Sequence, residues 1–120
     1  MAVSGGRFNS TLVAMPFVFD LSSFSGGDLT LSWFYWQESP TPPFIDLTRL
    51  ITSVDGGANW VITWGPNGAS TSGWTYVEQD LSSFLGGDLS FGFWYDSLTG
   101  FGGANADGVY FDNVELIYTP

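Results

Sequence analysis

The chain has no cysteine, no histidine and no lysine, and these three absences remove most of the familiar catalytic chemistries. Thiolate nucleophiles, Ser-His-Asp relays, zinc sites built on Cys or His, and the usual haem and iron–sulfur ligations are all excluded. Lacking lysine, the chain has neither a phosphate-loop lysine nor a Schiff base. Carboxylates alone remain for catalysis. No disulfide supports the fold, and the lack of cysteine decides nothing about compartment. Only Arg7 and Arg49 face twelve acidic residues, giving a formal net charge of −10 over 120 residues. Phosphate binding needs clustered Lys or Arg, so the balance argues against nucleic acid as a partner. The same field would repel an anionic membrane surface. No apolar run approaches about 18 residues, so insertion into a membrane is not expected. The first six residues lack the basic start and apolar run of a secretory signal, so the chain reads as a domain of a larger exported protein or as one that reaches its site another way.

Aromatics are what the chain has in excess: eleven Phe, six Trp and five Tyr. A chain of this length is one domain, residues 1–120, and can bury roughly two thirds of its unfolded surface. One stretch occurs twice, as Asp20-Leu21-Ser22-Ser23-Phe24-Ser25-Gly26-Gly27-Asp28-Leu29 and Asp80-Leu81-Ser82-Ser83-Phe84-Leu85-Gly86-Gly87-Asp88-Leu89. Each copy reads as a polar turn feeding an aromatic strand. Two copies are too few to stack as a solenoid. They are read instead as equivalent strands of one sandwich. A period of two places Leu29, Leu31, Trp33 and Tyr35 on the core face of the first strand, and Leu89, Phe91, Phe93 and Tyr95 on that of the second. Phe34, Trp36, Gly92 and Trp94 then face outward.

Residues 7–19 are moderately apolar, and Met15-Pro16 interrupts them, which suits an edge strand or a bulge. Residues 37–43 carry three prolines and form a loop. Residues 46–53 resume as a strand, Ser53-Val54-Asp55-Gly56-Gly57-Ala58-Asn59-Trp60 reads as a tight hairpin, and residues 60–64 return with Trp60, Ile62 and Trp64 on one face. A strand over residues 74–81 leads into the second copy. Residues 97–107 form a long Gly-rich loop holding Phe101. Residues 108–118 close the domain, with Asp112 sharing a face with Val114 and Leu116. If that face is inward, the carboxylate needs a hydrogen bond or a metal. No stretch shows helical period. The pattern is all-β, an antiparallel β-sandwich of jelly-roll type with about seven or eight strands.

Asp46, the Ser53 to Trp60 hairpin, Trp74, Asp80-Leu81-Ser82, Gly86-Gly87, the aromatic strand over residues 91–95 and Phe111-Asp112-Asn113-Val114 together resemble the jelly-roll modules of the MAM type and the accessory domains of immune-inhibitor-A-like metalloproteases. Asn59 and Asn113 stand where that group has Thr and a second Asp. The resemblance implies architecture more than ligand, since such modules serve adhesion, glycan binding and assembly alike. It also implies a structural calcium between a loop and the last strand, for which Glu38, Asp46, Asp107 and Asp112 are the candidate oxygen ligands. The same carboxylates are equally suited to capping turns. The hairpin further resembles the Asp-box of sialidases, where Asp accepts backbone N–H groups and the Trp packs beneath. Asp55 therefore reads as structural.

Phe34, Trp36, Trp94 and Phe101 form the candidate binding surface, since exposed rings stack on sugar faces or bury against protein. Packing beneath loops is the alternative for the same rings. Glycoside hydrolysis needs two paired acids, and no motif pairs Glu38, Glu78 or Glu115, so the chain is read as non-catalytic. Two functions stay open. One is a structural or decoration subunit of a virion, filament or cell-surface assembly, docking on identical copies or on a shell. The other is a carbohydrate-binding or adhesion module of a secreted protein.

Overall fold

In the computed structural model, residues 2–3, 10–14, 18–38, 46–65, 71, 73–97 and 108–120 are described, with the backbone alone for 2–3, 10–14, 38, 46–47, 96–97 and 108. Among them are nine strand segments: β1 (Ala2–Val3), β2 (Ser10–Ala14), β3 (Phe19–Asp20), β4 (Asp28–Glu38), β5 (Asp46–Ser53), β6 (Val61–Trp64), β7 (Thr75–Asp80), β8 (Asp88–Ser97) and β9 (Gly108–Thr119). One 3₁₀ turn, Ser82–Phe84, is the sole helical element among the described residues. The strands form two sheets, ordered β1-β9-β4-β7 and β2-β8-β5-β6, with β3 beside β2 along β8. All pairings are antiparallel. If β2 and β3 count as one interrupted strand, this is the eight-stranded jelly roll that the sequence pattern implies. Residues 15–17, where the sequence pattern places an interruption at Met15-Pro16, lie outside the described residues.

The two aromatic strands that follow the repeat are β4 and β8, each central in its own sheet. Their alternation was legible: Leu29, Leu31, Trp33, Tyr35, Leu89, Phe91, Phe93 and Tyr95 are all buried. Trp33 meets the opposite sheet edge-on, at 5.1 Å from Trp64 and 5.2 Å from Phe93. Phe93 in turn stacks on Phe111 of β9 at 4.0 Å. Gln37 and Thr48 tie the sheets with a buried hydrogen bond from Thr48 Oγ1 to Gln37 Oε1 at 2.5 Å.

The repeated turns are built alike. In the first, Asp20 Oδ1 accepts the Ser22 N–H at 3.0 Å and its hydroxyl at 2.6 Å. In the second, Asp80 Oδ1 accepts the same two groups of Ser82 at 2.9 and 2.5 Å. These bonds favour the ionised acids, so Asp20 and Asp80 both titrate below the ordinary aspartate range. The turns also bond across to the other copy. The Leu21 N–H donates to the Gly87 carbonyl and the Leu21 carbonyl accepts from the Gly86 N–H, while the Leu81 N–H donates to the Leu29 carbonyl. The second cross-bond lies two residues further along than the first. An even offset leaves each side chain on its original face.

Two bulges redirect faces that simple alternation assigns wrongly. The β4–β9 register shifts between Ser32 and Phe34, so that Asn113 and Val114 together oppose Trp33, and Asn113 takes φ +52°. The extra residue changes the phase of β9: Phe111 points inward, Asp112 and Asn113 are exposed, and Val114 and Leu116 turn back toward the core. Asp112 therefore does not share a face with Val114 and Leu116. The β5–β6 register shifts between Leu50 and Ile51, where Thr63 is the extra residue. Ile62 consequently lies outside with Ile51, whereas Trp64 packs into the core, so the expected common face of Trp60, Ile62 and Trp64 is split.

Candidate functional site

The hairpin joining β5 and β6 is structural in the way its residues suggest. Asp55 Oδ1 accepts the Ser53 hydroxyl at 2.7 Å and the Asn59 N–H at 2.9 Å, while Oδ2 accepts the Asn59 side-chain amide at 2.6 Å. Ser53 Oγ accepts the Gly57 N–H at 2.9 Å. Gly57 has φ +95°, and a Cβ there would stand 3.5 Å from the Trp60 ring. The Asn59 side chain, its N–H and the Ser53 hydroxyl pull the Asp55 carboxyl down to about 2. An unfolded aspartate titrates near 3.9, so the folded state binds this proton less tightly than the unfolded one. The stabilisation is complete above about pH 4 and disappears as pH falls through 2. The melting temperature of Asp55→Asn is thus expected to lie below that of the parent at pH 7 and to converge on it by pH 2, as thermal melts across that range would show.

Alternation put Phe34, Trp36 and Trp94 outside, and outside they are, but on opposite faces of the sandwich. Phe34 and Trp36 lie on the outer face of the first sheet. Antiparallel register brings Tyr76 and Asp112 beside Phe34, Tyr110 beside Trp36, and Glu78 and Glu115 beside Ser32. Phe34 packs on Tyr76 at 5.1 Å, and Trp36 meets Trp74 edge-on at 5.9 Å. Trp36, Trp74, Tyr76 and Tyr110 are exposed, between 38% and 51%. The result is a band of five rings across three strands, bordered by the carboxylates of Asp112, Glu78 and Glu115. The Tyr76 hydroxyl donates to Glu78 Oε2 at 3.0 Å. Sequence reasoning missed Trp74, Tyr76 and Tyr110 because they come from flanking strands, and only register makes them neighbours. The signal available was their alternation along residues 74–80 and 108–112.

Trp94 faces the other way, opposite Arg49 on β5. With Trp60, Ile62 and Ile51 it lines an apolar pocket of ≈ 310 Å³. Ile51 sits on the outer face yet is only 7% exposed. Gly92, opposite Ile51 in register, contributes no side chain there. The described residues that line it are two Trp and two Ile, with no carboxylate among them, which separates its chemistry from that of the aromatic band. Phe101 lies outside the described residues.

Of the four calcium candidates, only Asp112 has a described side chain. Glu38 ends β4 opposite Gly108, and Asp46 begins β5 opposite Ser97; their side chains and all of Asp107 lie outside the described residues. Asp112 is four residues beyond Gly108, about 13 Å along the strand. It is exposed, and its Oδ1 accepts the Asn113 N–H at 2.9 Å. Among the described residues no group of three or more potential ligands could hold one ion.

Neither a protein-family model nor a curated protein matches the chain. A solved structure does: TmCBM61, a carbohydrate-binding module, in complex with beta-1,4-galactotriose, with a TM-score of 0.55 and 14% identity over 94% of this chain and 67% of that one. At that identity the likeness establishes the fold, a β-sandwich of the kind used by a carbohydrate-binding module.

Proposed function

We propose that the protein is a non-catalytic carbohydrate-binding module that holds its glycan on the outer face of the first sheet. The observation that carries this reading is the juxtaposition there of Trp36, Trp74, Tyr76, Tyr110 and Phe34 with Asp112, Glu78 and Glu115. Pyranose rings present C–H faces that stack on aromatic rings, and hydroxyls that donate to carboxylates, so both halves of the surface have a role. Architecture shared with a carbohydrate-binding module supports the reading without supplying it. On this view the protein works at an extracellular or cell-surface polysaccharide. Trp36→Ala is expected to leave circular dichroism unchanged and to weaken glycan binding at least tenfold, about 1.4 kcal/mol, by calorimetry on the best ligand from a glycan array. Undiminished affinity would remove this face from consideration.

A second reading, a structural subunit docking on copies of itself or on an assembly, is favoured by two details of the same face. Trp36 and Trp74 stand at 81° rather than coplanar, and Ile117, exposed on that face, has no use for sugar hydroxyls. Light scattering decides between them: an oligomer dispersed by Trp36→Ala favours assembly, and a monomer favours the glycan.

A further inference from the structure

A smaller crevice, ≈ 170 Å³, opens at the end of the sandwich where the β5–β6 hairpin meets the 3₁₀ turn of the second repeat. Among its walls are Thr52, Ser53, Asp55, Asn59, Thr63 and Phe84. Phe84 packs against the core and is half-buried, so part of its ring remains to face the crevice. The same crevice is lined by polar groups whose capacity is only partly used. The Thr52 and Thr63 hydroxyl oxygens are 2.8 Å apart and share one hydrogen, which leaves the pair a further O–H and several lone pairs. When Thr63 supplies that O–H, its internal acceptor is the Val61 carbonyl at 3.5 Å, at the limit of a useful bond. Asn59 spends one amide hydrogen on Asp55 Oδ2, leaving its second N–H and its carbonyl oxygen.

We infer that this crevice is a second binding site, separate from the aromatic face, and that it takes one neutral pyranose ring. An aromatic surface for the ring's C–H face, a hydroxyl pair, an amide and a carboxylate are the groups that recognise a sugar. The volume lies below the about 300–1,000 Å³ of sites for larger ligands, which limits the occupant to a single ring. The ionised Asp55 at the rim disfavours an anionic sugar. The inference rests on the glycan-binding reading for its ligand class, but it uses none of the residues of the aromatic face. The hairpin's internal hydrogen bonds gain a use beyond stability: they fix Asp55 and Asn59 at the mouth of the crevice.

The test is an amide NMR titration of the whole protein with D-glucose and D-galactose to about 100 mM, since a single ring is expected to bind with Kd on the order of 1–10 mM. Shifts are expected at residues 53–59 and at Phe84 with one of the two sugars. Thr63→Val and, independently, Phe84→Leu should each weaken that binding about fivefold or more, while Trp36→Ala leaves it unchanged. No shift at residues 53–59 with either sugar overturns the site, even if polysaccharide binding through the aromatic face is intact. Shifts that survive both crevice variants overturn it as well. Shifts that persist when no polysaccharide binds at all uphold the crevice and reject the aromatic face.

Discussion

Trp33→Ala is expected to lower the free energy of unfolding by about 3–5 kcal/mol, the range for truncating a large buried aromatic. Trp33 is fully buried and reaches across the sandwich to Trp64 and Phe93. The bulge opposite it, at Asn113 and Val114, blocks easy collapse because the backbone there is already committed to φ +52°. Among the described residues the indole Nε1 has no hydrogen-bond partner. A buried N–H in that state costs about 1–3 kcal/mol, so part of the packing energy of Trp33 is offset within the native protein. Trp33→Phe sheds the N–H and keeps most of the ring contact, and should therefore cost less than half as much as the alanine variant. Guanidinium unfolding curves would measure both. A Trp33→Ala protein within about 1 kcal/mol of the parent would mean that the ring does not bridge the sheets. Trp36, three residues on, should barely change stability when replaced, because it belongs to the opposite face.

Gly27→Ala is expected to cost about 2–6 kcal/mol, although the equivalent substitution in the second repeat, Gly87→Ala, should be neutral or stabilising by up to about 1 kcal/mol. Gly27 has φ +84°, where a side chain is strained by about 1–3 kcal/mol. A Cβ there would also collide with the Thr119 carbonyl and press on Pro120, adding about 1–3 kcal/mol of overpacking. Gly87 has no such φ, and a Cβ would meet nothing within 4 Å. Identical neighbours in sequence thus give opposite outcomes, because the last strand ends against one copy and not the other. Thermal or denaturant melts of the two variants side by side would show the difference, and equal effects would contradict the placement of residues 119–120.

The jelly roll was legible because the strands that carry the core are long and strictly alternating. Residues 29–35 and 89–95 each put four apolar side chains on one face, and a period of two leaves little choice. Turn chemistry was legible for the same local reason: Asp20, Asp80 and Asp55 bond to groups two to four residues away. What alternation could not show was where it breaks. Thr63 and Asn113 are ordinary residues for a strand, and a bulge is settled by pairing with a partner strand, so Ile62 and Trp64 were given a common face that the bulge splits, and Asp112 was set on the face of Val114 and Leu116, which it does not share. Nor could period assign strands to sheets. Trp36 and Trp94 look alike along the chain, yet one belongs to a ring-and-carboxylate surface and the other to an apolar pocket on the far face. The aromatic band drew three of its five rings, Trp74, Tyr76 and Tyr110, from β7, the residue before it and β9, whose register with β4 is a long-range fact.

The mutual bonding of the two repeated turns sets a timetable for the nascent chain. Leu21 N–H finds its acceptor only when Gly87 is present, and Leu81 finds its own on Leu29. A ribosome adding about 5–20 residues per second needs roughly 3–12 s to supply the second copy after the first. Throughout that interval the first turn is open, and the apolar face of β4, with Leu29, Leu31, Trp33 and Tyr35, lacks β8, the central strand of the sheet that covers it. The segment from Asp20 to Trp36 is therefore the part of the newborn chain for which a holding chaperone, or a stray partner strand, would compete.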